Sequence, residues 1–211
     1  GLAHVSIIGG EGAVVPELVR ELDLAGTCFG VVRKTKIIDG RRIRIGDAII
    51  GVPSTGIHSN GLTLARRVLA ESALTIFDSV GGTGRPWGEE LLEPTAVYVR
   101  PVLRALRRGA IHGMAHMTGG GLRNLVRLKP SVEFEISEPL EPSPIFRALQ
   151  LLGGIEDREM YQTFNMGMGF AIVAPEDDAS KLIRALGPDV TARVVGHVVS
   201  GRGVSLPSLG L

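Results

Sequence analysis

Short apolar runs of strand length recur along the chain, separated by segments whose apolar residues repeat every three or four positions. Strands are predicted at residues 2–8, 25–34, 47–53, 132–136, 165–175 and 190–199, at the start of 111–122, and as a short edge strand within 39–47. Helices are predicted at residues 16–22, 61–71, 94–108, 120–128, 142–153 and 176–187. Because strands outnumber those of a simple doubly wound sheet, the pattern favours an α+β fold, an α/β sandwich in which helices cover a mixed sheet.

Proline and glycine positions refine this pattern. Pro53 is expected to stop its strand, and Pro101 lies inside the predicted helix 94–108, where it predicts a kink or a break. Residues 78–90 are rich in glycine and contain Trp87, and we interpret them as a loop.

Composition narrows the possible functions. The chain has 211 residues, enough for a sizeable core, and its 23 Lys and Arg residues balance 22 Asp and Glu residues, so no overall charge favours nucleic acid or a membrane surface. The apolar runs are too short for a membrane helix, and the lone Cys28 indicates a reducing, cytoplasmic setting. Arginines recur through 100–108, which we interpret as a solvated helix face rather than a phosphate or RNA site.

Three polar, glycine-rich loops are the strongest sign of a ligand site: residues 51–61, 115–122 and 159–170. Each allows two interpretations. Asn60 or Ser59 can cap the helix that follows, and Thr118 can cap the helix at 120–128. Alternatively, glycines admit an anion to the backbone N–H groups at a helix N-terminus. Three such loops in one chain favour a shared cleft, lined by residues 53–61, 117–121 and 163–168.

The strings GVPSTGIHSNGLTLAR, LLEPTAVYVRPVL, HGMAHMTGGGL and EMYQTFNMGMGF, in this order and at this spacing, closely resemble the phosphoribosylformylglycinamidine cyclo-ligases, or aminoimidazole ribonucleotide synthetases. The resemblance covers about residues 9–198. It implies ATP-dependent closure of the imidazole ring of formylglycinamidine ribonucleotide in purine biosynthesis, with Mg²⁺ and a homodimeric full-length protein. It also implies that residues 1–34 are the tail of an N-terminal ATP-binding and dimerisation domain, and that residues 35–211 form the C-terminal substrate-cleft domain.

The residues of these loops supply the candidate site. His58 and His116 are the candidate proton carriers, because imidazole titrates near neutral pH. Each of the two is also compatible with a structural role, and His4, His112 and His197 are interpreted as structural. The candidate substrate contacts are Ser59, Asn60, Thr118, Gly119, Gly120, Gly121, Thr163 and Asn165. Asn165 is equally compatible with merely satisfying its turn.

Glu11 lies in GGEG, which resembles the Gly-Gly-Glu-Thr of the family, and it is the candidate cofactor and Mg²⁺ ligand. Gly12 and Val14 depart from the threonine and second glutamate of that pattern. Because the N-terminal nucleotide-binding segments of the family are absent from this sequence, we expect this chain alone to be inactive, as a fragment lacking most of the ATP site. Two alternatives stay open: another enzyme of the same superfamily, such as a small-molecule kinase or synthetase, or a non-catalytic half that binds substrate or a partner.

Overall fold

The computed structural model describes residues 3–14, 17, 22–188 and 190–211. Within them, six strands form one mixed sheet in the order β2-β4-β1-β5-β3-β6. The strands are β1 Ala48–Pro53, β2 Gly113–His116, β3 Glu133–Glu135, β4 Met168–Ala174, β5 Arg193–Val199 and β6 Gly203–Ser205. Neighbouring strands are antiparallel except β3 and β6, which are parallel.

Six α-helices accompany the sheet in the described part of the chain: α1 Leu62–Ala70, α2 Trp87–Leu91, α3 Val99–Ala105, α4 Pro144–Gly153, α5 Asp157–Thr163 and α6 Glu176–Leu186. Short 3-10 helices lie at Lys34–Lys36, Gly121–Arg127 and Pro207–Leu209.

Alternation along β1 sorts its side chains onto two cores. Ile49 packs on one face with Phe134 and Leu125, beneath the 3-10 helix 121–127. Ile50 packs on the other face, which α3 and α6 cover. Helices α1, α4 and α5 build a third apolar cluster around residues such as Phe146. The predicted mixed sheet covered by helices is therefore confirmed.

Several element predictions are confirmed at nearly their predicted positions. They are the strands at 47–53, 132–136, 165–175 and 190–199, the strand that opens 111–122, and the helices at 61–71, 142–153 and 176–187.

The predicted strands at 2–8 and 25–34 are wrong for the residues that the structure describes. Residues 3–8 and 25–33 form no regular element and are almost entirely exposed, Ile7 and Val31 included. A strand needs a partner for its backbone groups, and none of the described residues pairs with these segments. The predicted helix 16–22 lies largely outside the described residues.

Other corrections have local causes. The 39–47 segment makes two turns but no edge strand. Pro101 lies in the first turn of α3, where its missing N–H costs nothing, so the helix starts late instead of breaking. The segment predicted as a helix at 120–128 is a 3-10 helix. Helix α2 occupies part of the predicted 78–90 loop, and α5 occupies part of the 159–170 loop. Strand β6 follows the strand that was predicted to be the last.

None of the helices in the described residues is both long and apolar enough to cross a membrane.

Candidate functional site

The three glycine loops meet at one end of β1 and β4. The pairing of these strands shifts register between Val52 and Pro53, at the entry to the first loop. The Ser54 N–H donates to Gly167 O at 2.9 Å, and the Met117 N–H donates to Gly169 O at 2.9 Å. The amide of Asn60 reaches Met117 O at 3.4 Å. Each loop therefore touches the other two, as the sequence predicted.

His58 is buried, with 4% of its surface exposed, and it adopts a left-handed backbone with φ of 57°. The Thr55 N–H donates to its Nε2 at 3.2 Å, which favours the tautomer with the proton on Nδ1, and the Thr55 hydroxyl oxygen lies 3.1 Å from the same Nε2. That Nδ1 is buried and has no hydrogen-bond partner among the described atoms. Burial, and secondarily the neighbouring His116, lower the pKa of His58 to about 4. His58 is therefore a neutral imidazole at pH 7 with an unused donor.

His116 ends β2 and is exposed, with its ring centroid 6.2 Å from that of His58. Partial burial lowers its pKa as well. Tyr98 packs edge-on to His116 at 5.7 Å, and Phe170 lies 5.4 Å from Tyr98. The two predicted histidines thus share one aromatic cluster, and His116 is its solvent-facing member.

Tyr98 is a residue that the motif analysis missed. Its hydroxyl donates to Pro53 O at 2.8 Å, which ties the cluster to the end of β1. A Cβ on Gly169 would fall 1.8 Å from the Tyr98 hydroxyl oxygen and 2.8 Å from His58 Cε1, so glycine there admits both rings. Tyr98 stands in the string LLEPTAVYV, and that string was the available signal.

The expected side-chain caps are wrong. Helix α1 is capped by Gly61 in a left-handed conformation, with no side-chain hydrogen bond from Ser59 or Asn60. The 3-10 helix is likewise capped by Gly120, not by Thr118. The first N–H groups of α1 are consequently left without a side-chain acceptor. A pocket of about 400 Å³ opens at this helix start and brings together Ser59, Gly61, Leu62, Thr63, Leu64, Arg67, Glu159 and Thr163.

The three glycines at 119–121 differ in backbone conformation and in the space around them. Gly121 has φ of 53°, and an added Cβ would lie 2.2 Å from Tyr161 O. Gly120 also has positive φ, at 100°. At Gly119 an added Cβ would meet only Asn60 Oδ1, at 4.0 Å. Packing therefore explains Gly121, whereas the space beside Gly119 is open to a ligand.

The Asn165 side chain is held by hydrogen bonds within the protein. It is fully buried, and its Oδ1 accepts from the Ser54 hydroxyl at 2.8 Å and the Gly167 N–H at 3.0 Å. Its amide donates to Gly56 O at 2.9 Å. With these bonds made, Asn165 clamps two of the loops together, which was the structural alternative.

Glu11, the candidate Mg²⁺ ligand, is not part of a cluster of metal-binding side chains among the described residues. It is exposed in the irregular N-terminal segment. Among the described residues, no group of three or more His, Cys, Asp or Glu side chains is placed to share a metal ion.

His112 lies next to a buried carboxylate, in keeping with its structural interpretation. Its Nδ1 lies 2.7 Å from an Asp47 carboxylate oxygen, and both side chains are buried. The pair joins the start of β1 to the residue before β2.

The sheet order, the helical cover and the glycine-loop cluster define a known class of α+β domain. Residues 44–207 match the family model described as the C-terminal domain of AIR synthase related proteins, and the chain belongs to that family. The family resemblance of the sequence motifs is thereby confirmed.

Curated relatives include the phosphoribosylformylglycinamidine cyclo-ligases of Methanosarcina barkeri, 46% identical over 92% of this chain, and of Thermoplasma volcanium, 43% identical over 98%. The chain spans 58% and 61% of the lengths of these two relatives.

Solved structures agree on the fold. Thiamine-monophosphate kinase from Stenotrophomonas maltophilia has a TM-score of 0.56 at 18% identity, covering 85% of this chain and 56% of that one. HypE of E. coli has a TM-score of 0.51 at 21% identity, covering 82% of this chain and 50% of that one.

Proposed function

We propose that this chain is the C-terminal part of an ATP-dependent cyclo-ligase that converts formylglycinamidine ribonucleotide to aminoimidazole ribonucleotide in purine biosynthesis. The observation that carries the proposal is 46% identity to a curated cyclo-ligase over 92% of the chain. In this reaction ATP phosphorylates the formyl amide oxygen, the amidine nitrogen attacks the activated carbon, and phosphate leaves. ADP, phosphate and the closed ring are the products.

The geometry suits a reaction that needs positioning and proton handling rather than a protein nucleophile. The start of α1, which has no side-chain cap and lies beside Ser59 and Thr163, would hold a phosphate of the substrate. The backbone at Gly119, where an added Cβ would meet nothing closer than Asn60 Oδ1 at 4.0 Å, would lie along the ribonucleotide. Asn60 and Thr118 would line the passage between the two.

The histidines would divide the proton work. His116 is solvent-facing and has a lowered pKa, so at pH 7 it is neutral and able to accept a proton. His58 would donate a hydrogen bond from its unpartnered Nδ1–H to an amide or amidine group. Tyr98 would hold both rings in place through its bond to Pro53 O.

The remainder of the enzyme would come from outside this domain. Residues 1–34 would be the tail of an N-terminal domain that binds ATP and forms a homodimer, and residues 35–211 would be the substrate-cleft domain. Mg²⁺ would accompany the ATP phosphates, and Glu11 would be at most one carboxylate beside it. We expect the full-length protein to work in the cytoplasm, and the 211-residue chain alone to lack turnover.

The test is an assay of the complete protein that the proposal implies, in which an N-terminal ATP-binding domain precedes this chain. Aminoimidazole ribonucleotide and ADP are measured after formylglycinamidine ribonucleotide and ATP are added. His116→Ala should slow turnover about 10²- to 10⁴-fold, as loss of a proton-transfer group does. His58→Ala should slow it about 10²- to 10³-fold, as loss of one charge-stabilising donor does.

His197→Ala is the matched control, because His197 is exposed on β5 and pairs with Glu176 at 3.0 Å. Its turnover should be unchanged. ADP formation with a phosphorylated but unclosed product would favour the kinase alternative. A complete protein that binds the ribonucleotide without turnover would favour the non-catalytic one.

A further inference from the structure

A second pocket, of about 670 Å³, lies on the other side of α5 from the α1 pocket. The 3-10 helix 121–127, α5 and β6 form its walls. None of its lining residues belongs to the histidine cluster or to the proposed substrate contacts. Its volume falls in the range of sites that hold small organic molecules, roughly 300–1,000 Å³.

The pocket of the 211-residue chain carries a net positive charge, because three arginines outnumber the terminal carboxylate of Leu211, which also lines it. Arg123, Arg127 and Arg158 line it and are exposed. No carboxylate side chain of the described residues lines it, and none of these three arginines forms an ion pair within the described part of the chain. Elsewhere arginines such as Arg85 and Arg193 do pair with glutamates. Three unpaired guanidinium groups at one pocket favour an anion, and above all a phosphate, which accepts several charge-assisted bonds.

The floor of the same pocket is apolar. Leu122 and Leu206 are buried members of the core beneath it, and Val204 and Tyr161 pack against that core. Burial raises the pKa of the Tyr161 phenol, with the Asp157 and Glu141 carboxylates adding to the effect, so the hydroxyl stays protonated at pH 7. An inorganic anion would leave this floor uncovered, whereas an apolar or aromatic group would bury it.

We propose that this pocket binds an organic phosphate. Its apolar or aromatic group would lie on the floor formed by Leu122 and Leu206, and its phosphate group would be held by Arg123, Arg127 and Arg158. The site goes beyond the proposed cyclo-ligase activity and does not depend on it. Its walls are linked to the candidate site, because the 3-10 helix begins at Gly121 and α5 ends at Thr163. An organic phosphate bound here therefore contacts two elements whose ends form the glycine loops.

Calorimetric titration of the 211-residue chain with phenyl phosphate tests the proposal, with NMR to locate the site. Phenyl phosphate should bind at least about tenfold more tightly than inorganic phosphate, phenol or benzoate. Inorganic phosphate lacks the aromatic ring, and phenol and benzoate lack the doubly charged phosphate group. Amide shifts should centre on Leu122, Gln162 and Val204.

The Arg123→Gln/Arg158→Gln double variant should weaken phenyl phosphate binding at least about tenfold. Both side chains are exposed, so the variant should keep its melting temperature. Arg107→Gln is the matched control, because Arg107 lines a separate basic groove between α3 and α6, and its affinity should be unchanged.

Several results would overturn the proposal. They are an absence of saturable binding, equal affinity for phenyl phosphate and inorganic phosphate, and equal weakening by Arg107→Gln, which would indicate attraction to overall charge. Shifts confined to Ser59–Leu64 and Gly119 would place the ligand in the candidate substrate site and would also reject it.

Discussion

His58 combines three features that a purely structural histidine rarely needs together. It has a left-handed backbone, an almost fully buried ring and a buried nitrogen with no partner. Strained backbone and unsatisfied buried polar atoms both cost stability, and they are retained most often at functional sites. The sequence located this residue by its glycine frame, but burial and the neighbouring ring of His116 depend on residues far away in the chain.

The depressed pKa of His58 predicts a specific pH dependence of stability. The unfolded ring titrates near 6.5 and the folded ring near 4, so the unfolded state binds more protons between these values. The contribution of neutral His58 to the free energy of unfolding is therefore fully present above pH 6.5. It is lost as the pH falls toward 4, by up to about 1.4 kcal/mol per pH unit.

Urea unfolding at several pH values between 4.5 and 7.5 measures this slope. His58→Asn is the suitable comparison, because asparagine tolerates the left-handed backbone and does not titrate there. The variant should show a shallower dependence on pH than the parent chain. Identical slopes in the two proteins would refute the assigned pKa.

Neighbouring glycines should respond differently to one added methyl group. Gly121→Ala should lower the free energy of unfolding by about 2 kcal/mol or more, because a left-handed alanine costs about 1–2 kcal/mol and its Cβ would meet Tyr161 O at 2.2 Å. Gly84→Ala, with φ of 70° but open space, should incur only the backbone cost. Gly119→Ala should leave stability nearly unchanged and instead weaken ribonucleotide binding. Thermal and urea unfolding separate the first two, and a stable Gly121→Ala would contradict the packing explanation.

At the scale of elements, the strands and helices that were predictable are those whose burial pattern repeats along the chain. Ile49 and Ile50 point to opposite cores, so β1 is apolar throughout and ends at Pro53. The runs at 2–8 and 25–34 have the same apolar character, but a strand also requires a partner, which no local pattern reveals. Helix α5 was missed because its short sequence, DREMYQT, is polar and buries only Met160.

The loop cluster depends on Asn165 as its clamp. Asn165→Ala would leave Gly56 O without its donor, and the Ser54 hydroxyl and Gly167 N–H without their acceptor, around a side chain that is itself fully buried. The free energy of unfolding should fall by about 2–4 kcal/mol. Each unsatisfied group costs on the order of 1–3 kcal/mol, and partial relaxation of the surrounding structure reduces the total. Ser59→Ala, at an exposed position in the same cluster, should change it by less than about 0.5 kcal/mol. Denaturant unfolding of both variants provides the measurement, and an Asn165→Ala variant as stable as Ser59→Ala would reject the clamp.

For the whole molecule, the folded core begins late in the chain. None of the described residues before Ile38 packs in any of the three apolar clusters. A chain beginning at residue 35 should therefore melt within about 2 °C of the parent, because its core and sheet are intact. Differential scanning calorimetry of the two chains makes the comparison. A loss of cooperative unfolding in the shorter chain would show that residues 1–34 belong to the fold, against the proposed domain boundary.

The sequence motifs predicted the family and the proximity of the three loops. The roles of individual residues within the site became clear only from the structure. Asn165 and His58 are both polar residues in glycine-rich turns, but both polar side-chain atoms of Asn165 are hydrogen-bonded, whereas His58 has a buried ring nitrogen without a partner. Tyr98 joins the site through a ring contact that spans about forty residues of sequence, which spacing alone cannot predict.

The central claim is that the three glycine loops bind the ribonucleotide. Its most direct test is NMR titration of the 211-residue chain with formylglycinamidine ribonucleotide, alongside ribose 5-phosphate. The account predicts amide shifts at Ser59–Leu64 and Thr163 with both ligands, because both carry the phosphate, and further shifts at His116–Gly120 with the ribonucleotide alone. Gly119→Ala should weaken only the ribonucleotide. Shifts absent from all three loops at saturating ligand, or an unchanged affinity in Gly119→Ala, would contradict it.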